Sequence, residues 1–355
     1  MTSRIPVTVL GSTGMVGQRF VERLADHPQF EIRHLAASER STGQRYAEAA
    51  AWRLTSRPYG GLAEQALVPA DPEHAFSPVV FSALDSGPAR EIEPAFAAAG
   101  AMVFSNASAF RMAEDVPLLV PEVNPDHLDL IGVQRRQRAT RGAIVCNPNC
   151  TATVLVMALA PLQQQFGIDA VMMSSMQALS GAGYPGVASL DILGNVIPFI
   201  DNEEEKVEEE TLKLLGRLHD GRVEPATLKV TAMCHRVAVV DGHTEAVSVS
   251  LRGSPEPEQV VEAMRAWRPL PQRLKLYSAP EQPIRLHAVQ NRPQPRLDVE
   301  RDSGMSVHVG RVRRCSLLGI KFTVLGHNTQ RGAAGASILN AELALQREML
   351  SSALS

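Results

Sequence analysis

Short apolar runs rich in β-branched residues alternate with amphipathic stretches in the first part of the chain. The runs cover residues 7–10, 31–37, 79–84, 101–106 and 143–147. Between the first two, apolar residues recur at helical spacing over residues 14–24, with Phe20, Val21 and Leu24 on one face. Strands that alternate with helices are typical of a parallel sheet with helices on both faces. The pattern therefore predicts an α/β, doubly wound parallel sheet.

The second part of the chain has longer strand-like runs that follow one another closely. They cover residues 171–179, 228–240, 245–251, 305–312 and 317–326. Consecutive long strands predict an antiparallel or mixed sheet in a second, α+β domain. We predict helices at 202–215 and 257–267, and loops at 181–186 and 279–295. A small-residue helix after Arg331 is expected to return to the first domain. The predicted domains are 1–149, completed by 330–355, and 150–329.

Composition and charge narrow the class of protein. The chain has 355 residues, which suggests two domains, and its 45% hydrophobic and 21% charged residues are ordinary for a soluble globular protein. A net charge of -3 gives no general attraction to nucleic acid, so the basic cluster at 135–141 is interpreted as a solvated face. No apolar stretch is long enough for a membrane span, and no export signal is evident. We expect a cytoplasmic protein with no nucleic-acid or membrane partner.

The four cysteines do not form a recognisable metal or disulfide pattern. Cys146, Cys150, Cys234 and Cys315 include no C-x-x-C pair and no Cys/His spacing typical of zinc. We predict no metal site, and a reducing compartment.

A glycine-rich segment follows the first strand directly. In GSTGMVGQRF, Gly11, Gly14 and Gly17 are spaced three apart at a strand-to-helix turn. Glycines there let the backbone approach a pyrophosphate, which the helix N-terminus stabilises. The pattern is G-x-x-G-x-x-G rather than G-x-G-x-x-G, and a tight turn with close helix packing is the alternative. Its position after a strand favours a Rossmann-type dinucleotide site. The predicted contacts in this loop are Gly11, Ser12, Thr13, Gly14, Met15, Val16 and Gly17.

The end of the second strand distinguishes NAD from NADP. A lone carboxylate there would bind the ribose 2′-hydroxyl, whereas Ser and Arg accommodate a 2′-phosphate. Arg40 favours NADP, and the neighbouring Glu39 is the argument for NAD. We predict NADP. Further predicted cofactor contacts are Ser38, Arg40, Ser41 and Thr42 in this segment, Ser82, Ala83, Leu84 and Asp85 after the third strand, and Ser180, Gly181 and Asn328 later in the chain.

Cys150 is a candidate nucleophile. In AIVCNPNCTAT a strand ends near Asn147 and a helix starts near Thr151. A thiol at a helix N-terminus is expected to have a lowered pKa, and free N–H groups there, with Asn149, would stabilise an oxyanion. The alternative is a buried structural cysteine.

Seven motifs in order resemble the aspartate-β-semialdehyde dehydrogenase family, in its archaeal and fungal branch. The motifs are GSTGMVGQRF, SNASAFRM, CNPNCTAT, MQALSGAGYPG, EEEK, CHRVAVVDGHTE and NTQRGAAGASILNAE, which together span nearly the whole chain. The resemblance implies NADPH-dependent reductive dephosphorylation of L-aspartyl-4-phosphate to the semialdehyde through a thioester. That step supplies precursors of lysine, methionine and threonine. It also implies a homodimer or homotetramer.

The resemblance also implies roles for individual residues. Cys150 is the nucleophile, His243 the acid/base, and Gln177 orients the intermediate. An imidazole that titrates near neutrality suits the acid/base role. The implied substrate contacts are Arg236 for the α-carboxylate, Glu203 for the α-ammonium, Lys206 and Arg111 for the phosphate, and Asn149 and Asn106 nearby. The EEEK run has a plain alternative as a solvated helix face, and only the alignment selects Glu203 over Glu204 or Glu205.

Three other functions remain open from the sequence. Malonyl-CoA reductase and N-acetylglutamyl-phosphate reductase share the cysteine–histidine chemistry, but neither substrate carries a free α-ammonium for Glu203. The third is a catalytically silent NADP-binding paralogue, which would have no need to keep Cys150, His243, Arg236 and Arg111 together.

Overall fold

The computed structural model describes residues 4–54, 60–350 and 353. The strands are β1 Ile5–Leu10, β2 Phe30–Ala37, β3 Val68–Pro69, β4 Val79–Ser82, β5 Met102–Ser105, β6 Ala143–Cys146, β7 Ile168–Gln177, β8 Arg217–His219, β9 Arg222–Glu224, β10 Lys229–Arg236, β11 His243–Leu251, β12 Ile284–His287, β13 Val307–Cys315 and β14 Gly319–Gly326. The α-helices are α1 Met15–Leu24, α2 Tyr46–Ala49, α3 Pro72–Ala75, α4 Ser86–Ala98, α5 Leu130–Arg138, α6 Cys150–Gln165, α7 Ser189–Ile192, α8 Glu203–Leu214, α9 Pro257–Ala266, α10 Leu270–Leu274, α11 Pro295–Asp298 and α12 Gly335–Gln346.

The first sheet has the strand order β3-β2-β1-β4-β5-β6, and all its neighbours pair in parallel. The order reverses between β1 and β4, which is where open α/β sheets bind their ligands, beyond the carboxyl ends of the strands. Strands β4, β5 and β6 are fully buried, as expected for a sheet covered on both faces. The predicted Rossmann-type doubly wound sheet is confirmed.

The second sheet has the order β10-β7-β11-β14-β13-β12. Two pairs, β7 with β10 and β12 with β13, are parallel, and the other three pairs are antiparallel. The mixed sheet of the predicted α+β domain is confirmed. Burial alternates along β11, where His243, Glu245 and Val247 lie on the inner face. We call the side of this sheet that carries exposed Met172, Met176 and Met233 the outer face.

The C-terminal helix α12 packs back on the first sheet, as predicted. Ile338 and Leu343 share a buried cluster with Val7 and Phe20 of that sheet and its first helix. A π-helical turn, Gln330–Ala334, precedes α12 and lies against the start of α6. The end of the chain therefore contributes to both the cofactor side and the nucleophile side of the molecule. Among the described residues, no helix is long and apolar enough to cross a membrane.

Two details of the predicted elements are wrong. The predicted loop 279–295 contains β12, a short edge strand that pairs Ile284 with Val307 and that the surrounding prolines obscure. The predicted strand 228–240 ends at Arg236. There an isolated bridge to Ile197 and a turn starting at Val237 replace regular pairing.

Candidate active site

Cys150 and His243 meet at the junction of the two sheets. Cys150 is the first residue of α6, directly after β6 and the segment 147–149, and His243 is the first residue of β11. The distance from Cys150 Sγ to His243 Nε2 is 3.2 Å. His243 is fully buried, whereas Cys150 is partly exposed. The geometry thus brings the predicted nucleophile and the predicted acid/base into direct contact.

The other ring nitrogen of His243 fixes its tautomer. The backbone N–H of Ala178 donates to Nδ1 at 3.1 Å, so Nδ1 accepts and the neutral ring carries its hydrogen on Nε2, pointing at the sulfur. Burial, Arg236 and His327 together lower the pKa of His243 to about 3. The expectation of an imidazole that titrates near neutrality is wrong, because burial and the nearby Arg236 both disfavour a second proton.

The thiol of Cys150 also departs from expectation. The pKa of Cys150 is raised to about 12, mainly by burial and secondly by the charge of Glu203. The positive charges of Arg111 and Arg236 act in the opposite direction and lower it. The lowered pKa expected from the helix N-terminus is wrong, because desolvation outweighs the helix dipole. A thiol with a raised pKa is mostly protonated near neutrality, so only a small fraction is the nucleophilic thiolate.

Asn149 caps α6 rather than presenting its amide to a ligand. Its Oδ1 accepts from the N–H groups of Thr151 at 2.9 Å and Ala152 at 3.0 Å. The expectation of free N–H groups for an oxyanion is therefore wrong for Thr151 and Ala152, because the asparagine side chain already satisfies these two. The backbone N–H of Asn149 donates to Glu210 at 2.5 Å. Asn149 therefore fixes the position of the nucleophile.

The charges of Glu203 and Arg236 both act on the nucleophile, with opposite effects on its pKa. Glu203 is the first residue of α8 and is 8% exposed, and its Oε1 accepts from Thr151 Oγ1 at 3.3 Å. Arg236 ends β10 and donates through Nη1 to the carbonyl of Ala178 at 2.7 Å. The neighbouring Glu204 is occupied, since its Oε1 accepts from the N–H of Cys234 at 2.8 Å. The choice of Glu203 over Glu204 therefore has independent support in the packing.

Arg111 is held behind the nucleophile by a carboxylate. It pairs with Glu210 at 3.0 Å and donates to the carbonyl of Asn106 at 2.7 Å. Its Nε is buried without a hydrogen-bond partner among the described residues. Arg111 thus keeps one donor available, although Glu210 already offsets much of its charge. Lys206 is half-buried one turn after Glu203 on α8.

Two amide side chains, those of Gln177 and Asn106, lie beside these charged residues. Gln177 is buried at the end of β7 and donates to Ser175 Oγ at 3.1 Å. Asn106 donates to the carbonyl of Ser82 at 3.2 Å and accepts from Ser337 at 3.2 Å, so it links β4 to α12. Gln177 lies beside Arg236 in the strand register, and Asn106 is tied to Arg111.

The glycine loop has the backbone that a dinucleotide requires. Gly11 has φ +67, and a Cβ there would lie 2.7 Å from the carbonyl oxygen of Ala83. A Cβ on Gly17 would lie 2.1 Å from the carbonyl oxygen of Gly11, so α1 packs directly on the loop. Gly14 precedes α1 with no side-chain cap, which leaves the first N–H groups of the helix for an anion. Ser12 is buried and bonded to the carbonyl of Ala36, while Thr13, Met15 and Val16 are partly exposed.

The remaining predicted cofactor residues lie around the same switch point. Ser38, Arg40 and Thr42 are exposed in the turn after β2, and Ser41 is partly exposed. Residues 82–85 follow β4, next to the glycine loop, and run from buried Ser82 to exposed Asp85. On the catalytic side, Asn328 donates to Ser180 Oγ at 2.8 Å, and Gly181 packs against Arg236 and His243.

Three residues at the site were missed from the sequence. Glu210 holds both Arg111 and Asn149, and its spacing of seven from Glu203 on an acidic helix was an available signal. Gly332 lies so close to α6 that a Cβ added there would be 2.6 Å from the Cβ of Cys150.

Glu245 is fully buried on the inner face of β11, and neither of its oxygens has a hydrogen-bond partner among the described residues. Burial and the charge of Glu203 raise the pKa of Glu245 well above its ordinary value.

Two family models match the chain. Residues 6–131 match "Semialdehyde dehydrogenase, NAD binding domain", and residues 159–331 match "Semialdehyde dehydrogenase, dimerisation domain". The aspartate-semialdehyde dehydrogenase of Archaeoglobus fulgidus is 54% identical over 98% of this chain and 100% of its own length. That of Schizosaccharomyces pombe is 46% identical over 97% of this chain and 99% of its own length.

Solved structures give the same result. The crystal structure of aspartate semialdehyde dehydrogenase with NADP from Candida albicans matches with a TM-score of 0.90 and 42% identity, over 98% of this chain and 100% of that one. Aspartate semialdehyde dehydrogenase II from Vibrio cholerae matches with a TM-score of 0.75 and 27% identity, over 97% of this chain and 99% of that one.

Proposed function

The chain belongs to the aspartate-semialdehyde dehydrogenase family, and we propose that it catalyses the reversible, NADPH-dependent conversion of L-aspartyl-4-phosphate to L-aspartate-4-semialdehyde and phosphate. The observation that carries this proposal is the 3.2 Å contact between Cys150 Sγ and His243 Nε2. A carboxylate, Glu203, and a guanidinium, Arg236, both act on the charge of the same thiol. An aminoacyl substrate has the ammonium and carboxylate that match them.

Cys150 attacks the acyl carbon, and phosphate leaves as the thioester forms. Its thiol must first lose a proton, which burial and the charge of Glu203 oppose, and the departing phosphate carries that proton away as hydrogen phosphate. The substrate ammonium would pair with Glu203 and so remove the second cause of the raised thiol pKa. We therefore expect the thiolate to form after the substrate binds.

His243 acts first as a hydrogen-bond donor in this mechanism. Its Nε2–H stabilises the thiolate, and then the oxygen that becomes negative when the thioester is reduced. To take up a full proton, the ring must release the N–H of Ala178 from Nδ1. Collapse of this tetrahedral oxyanion expels the sulfur as the Cys150 thiolate and releases the aldehyde, and a proton from solvent restores the thiol.

The other substrate contacts follow from position and charge. Arg236 would hold the α-carboxylate in bidentate fashion, and Gln177, beside it in the register, would orient the thioester carbonyl. Arg111 and Lys206 would contact the phosphate, and Arg111 keeps its free Nε for this purpose. Asn106 and Asn149 would hold Arg111 and Cys150 in place.

NADP fits the residues at the switch point of the first sheet. The glycine loop from Gly11 to Gly17 would hold the pyrophosphate, because side chains at both positions would clash with the backbone. Arg40, with Ser38, Ser41 and Thr42, would contact the 2′-phosphate. Residues 82–85, Ser180, Gly181 and Asn328 would line the rest of the site. When bound, NADPH supplies the hydride that reduces the thioester.

The domain limits and the assembly complete the proposal. We assign 1–149 with 330–355 to cofactor binding and 150–329 to catalysis and dimerisation. The chain carries the dimerisation domain of its family and is a homo-oligomer. The exposed methionines of the outer face, with the surrounding apolar surface of the second sheet, favour a homodimer, alone or as half of a tetramer. All four cysteines are free, which is consistent with a cytoplasmic location.

One assay tests the function. We expect the wild type to reduce NADP with aspartate semialdehyde only when phosphate is present, and Cys150→Ser to be inactive while still binding NADPH. Activity without phosphate, or full activity of the variant, would contradict the mechanism. Malonate semialdehyde with coenzyme A, and N-acetylglutamate semialdehyde with phosphate, serve as competing substrates in the same direction, and a preference for either would overturn the assignment of Glu203 to an ammonium.

A further inference from the structure

The turn that carries His243 is attached to its surroundings on one side through the backbone. Gly242 has φ +100, and a Cβ there would lie 2.9 Å from Val299 Cγ2, so only glycine fits. The N–H of Gly242 donates to Asn328 Oδ1 at 2.9 Å. Asn328 also donates to Ser180 Oγ, so this attachment lies within the catalytic side of the molecule.

A second attachment comes from the other side, through Arg19 of the dinucleotide-binding helix. Arg19 Nη2 lies 3.5 Å from Asp241 Oδ2, and Asp241 is two residues before His243. Arg19 Nε donates to Thr329 Oγ1 at 3.2 Å, and Nη2 lies 3.5 Å from His327 Nε2. Arg19 is only 6% exposed although it lies on a helix of the first sheet. Its guanidinium is therefore inserted between the two halves of the molecule.

The carboxylate of Asp241 has few other interactions. Its Oδ1 is buried and has no hydrogen-bond partner among the described residues. A buried carboxylate oxygen without a partner is unfavourable, so Asp241 stays in place only while a cation holds it. Two other carboxylates lie near Arg19: Glu22, on α1 itself, and Glu300, which pairs with His327 at 3.4 Å; neither is part of the turn 241–243.

We propose that Arg19 and Asp241 are positioning residues for His243, and that their ion pair holds the turn 241–243 so that Nε2 points at Cys150 Sγ. The reasoning rests on the proposed function for the part that His243 takes in the reaction. Neither residue is proposed to touch the substrate or the cofactor. Without the ion pair, Asp241 would turn toward solvent and draw the start of β11 with it. A displacement of about 1 Å at a reacting group can lower a rate on the order of a hundred-fold.

The test is a double-mutant cycle of Arg19→Gln, Asp241→Asn and the double variant. Two quantities are measured for each protein. One is kcat, and the other is the rate at which iodoacetamide alkylates Cys150, recorded as a function of pH. Both single variants should lower kcat about ten- to a hundred-fold and change the alkylation profile. KM for aspartate semialdehyde and the Kd for NADPH should stay within about two-fold. Because the two residues act through each other, the double variant should lose no more than the worse single variant.

Two variants serve as controls. Glu22→Gln removes the other carboxylate beside Arg19 and should keep kcat within about two-fold. Arg19→Lys keeps a cation opposite Asp241 and should recover most of the activity lost in Arg19→Gln. Losses that multiply in the double variant, or an unchanged alkylation profile in a folded Asp241→Asn protein, would overturn the proposal. Alkylation needs no substrate, so this result stays readable even if the enzyme proves inactive on aspartate semialdehyde.

Discussion

The carboxylate of Glu203 disfavours the thiolate form of Cys150. The carboxylate of Glu203 accepts from Thr151, the residue next to the nucleophile, and its charge raises the pKa of the thiol. A residue assigned to the substrate ammonium thus also suppresses the thiolate until that ammonium arrives. An enzyme built in this way protects its nucleophile from oxidants and unrelated electrophiles between turnovers.

Replacing Glu203 with Gln should therefore have two opposite effects. Loss of the negative charge lowers the thiol pKa, so alkylation of the free enzyme by iodoacetamide at pH 8 should be about ten-fold faster. Loss of the ammonium contact should raise KM for aspartate semialdehyde by on the order of ten-fold or more. The control is Glu205→Gln, on the same helix but exposed, for which both quantities should stay near wild type. Slower alkylation in Glu203→Gln would contradict the electrostatic argument.

Arg40 is the residue on which the choice of NADP rests. It is exposed in the turn after β2, and its side chain has no partner among the described residues. Arg40→Ala should raise KM for NADP by on the order of ten-fold or more and leave KM for NAD nearly unchanged, because only NADP has the 2′-phosphate. Arg33→Ala, earlier on β2, is the control. An equal effect on both cofactors would place Arg40 elsewhere in the site.

Local patterns predicted the parts of the site that depend on local structure. The spacing of Gly11 and Gly17 after a strand was sufficient to predict the loop, because both close contacts lie within a few residues or on the adjacent strand. Cys150 at the start of α6 was predicted from the strand and helix that flank it. The doubly wound parallel sheet followed from the alternation of strands and helices, whereas the order of its strands was not predicted.

Properties set by tertiary packing were not predictable in this way. The pKa of His243 depends on burial and on the N–H of Ala178, which is distant in the sequence. The sequence also does not show that the side chain of Asn149 accepts a hydrogen bond from the backbone of α6, because that depends on its rotamer in the folded protein. Glu245 is one position in an alternating strand, and nothing in that alternation shows that its carboxyl is buried without a partner.

Gly332 predicts a steric requirement at the nucleophile. A Cβ at this position would lie 2.6 Å from the Cβ and 3.0 Å from the Cα of Cys150. Because both contacts are to the start of α6, Gly332→Ala should displace Cys150 and lower kcat by on the order of a hundred-fold. Gly132→Ala is the control, since its nearest contact is an arginine side chain at 3.5 Å. Normal turnover by a folded Gly332→Ala protein would show that the π-helical turn can move aside.

Glu245 predicts a pH dependence of stability. Its pKa is raised in the folded state by burial and by Glu203, so the folded protein holds this proton more tightly than the unfolded chain does. Its contribution to stability is complete below the unfolded pKa and is lost as pH rises toward the folded pKa. Glu245→Gln cannot ionise, so its melting temperature relative to wild type should increase between pH 5 and pH 8.5. Glu209→Gln, exposed on α8, should show no such trend. A constant difference across this range would mean that Glu245 is not protonated when buried.

Arg331 and Glu122 form an ion pair between the π-helical turn and the segment that links β5 to α5. Both side chains are fully buried, and the guanidinium donates to the two carboxylate oxygens at 3.0 and 2.7 Å. Its Nε donates to the carbonyl of Met305 at 2.7 Å, so the pair connects the segment before β6 with the π-helical turn and with the residues just before β13. A buried guanidinium that lost this carboxylate would be left with an uncompensated charge.

Glu122→Ala should therefore destabilise the protein by roughly 3–5 kcal/mol, because it leaves Arg331 buried and charged. The double variant Glu122→Leu, Arg331→Met removes both charges at similar volume. It should lower the free energy of unfolding much less than Glu122→Ala does. Asp169→Asn at the exposed pair with Arg252 is the comparison, expected to change stability by less than about 1 kcal/mol. Thermal unfolding of the wild type and these three variants, at one protein concentration, measures the differences in stability. A double variant as unstable as Glu122→Ala would contradict this expectation. It would show that the hydrogen bonds of the pair, including the bond to Met305, stabilise the protein, and that the cost of an unpaired charge is not the cause of the loss.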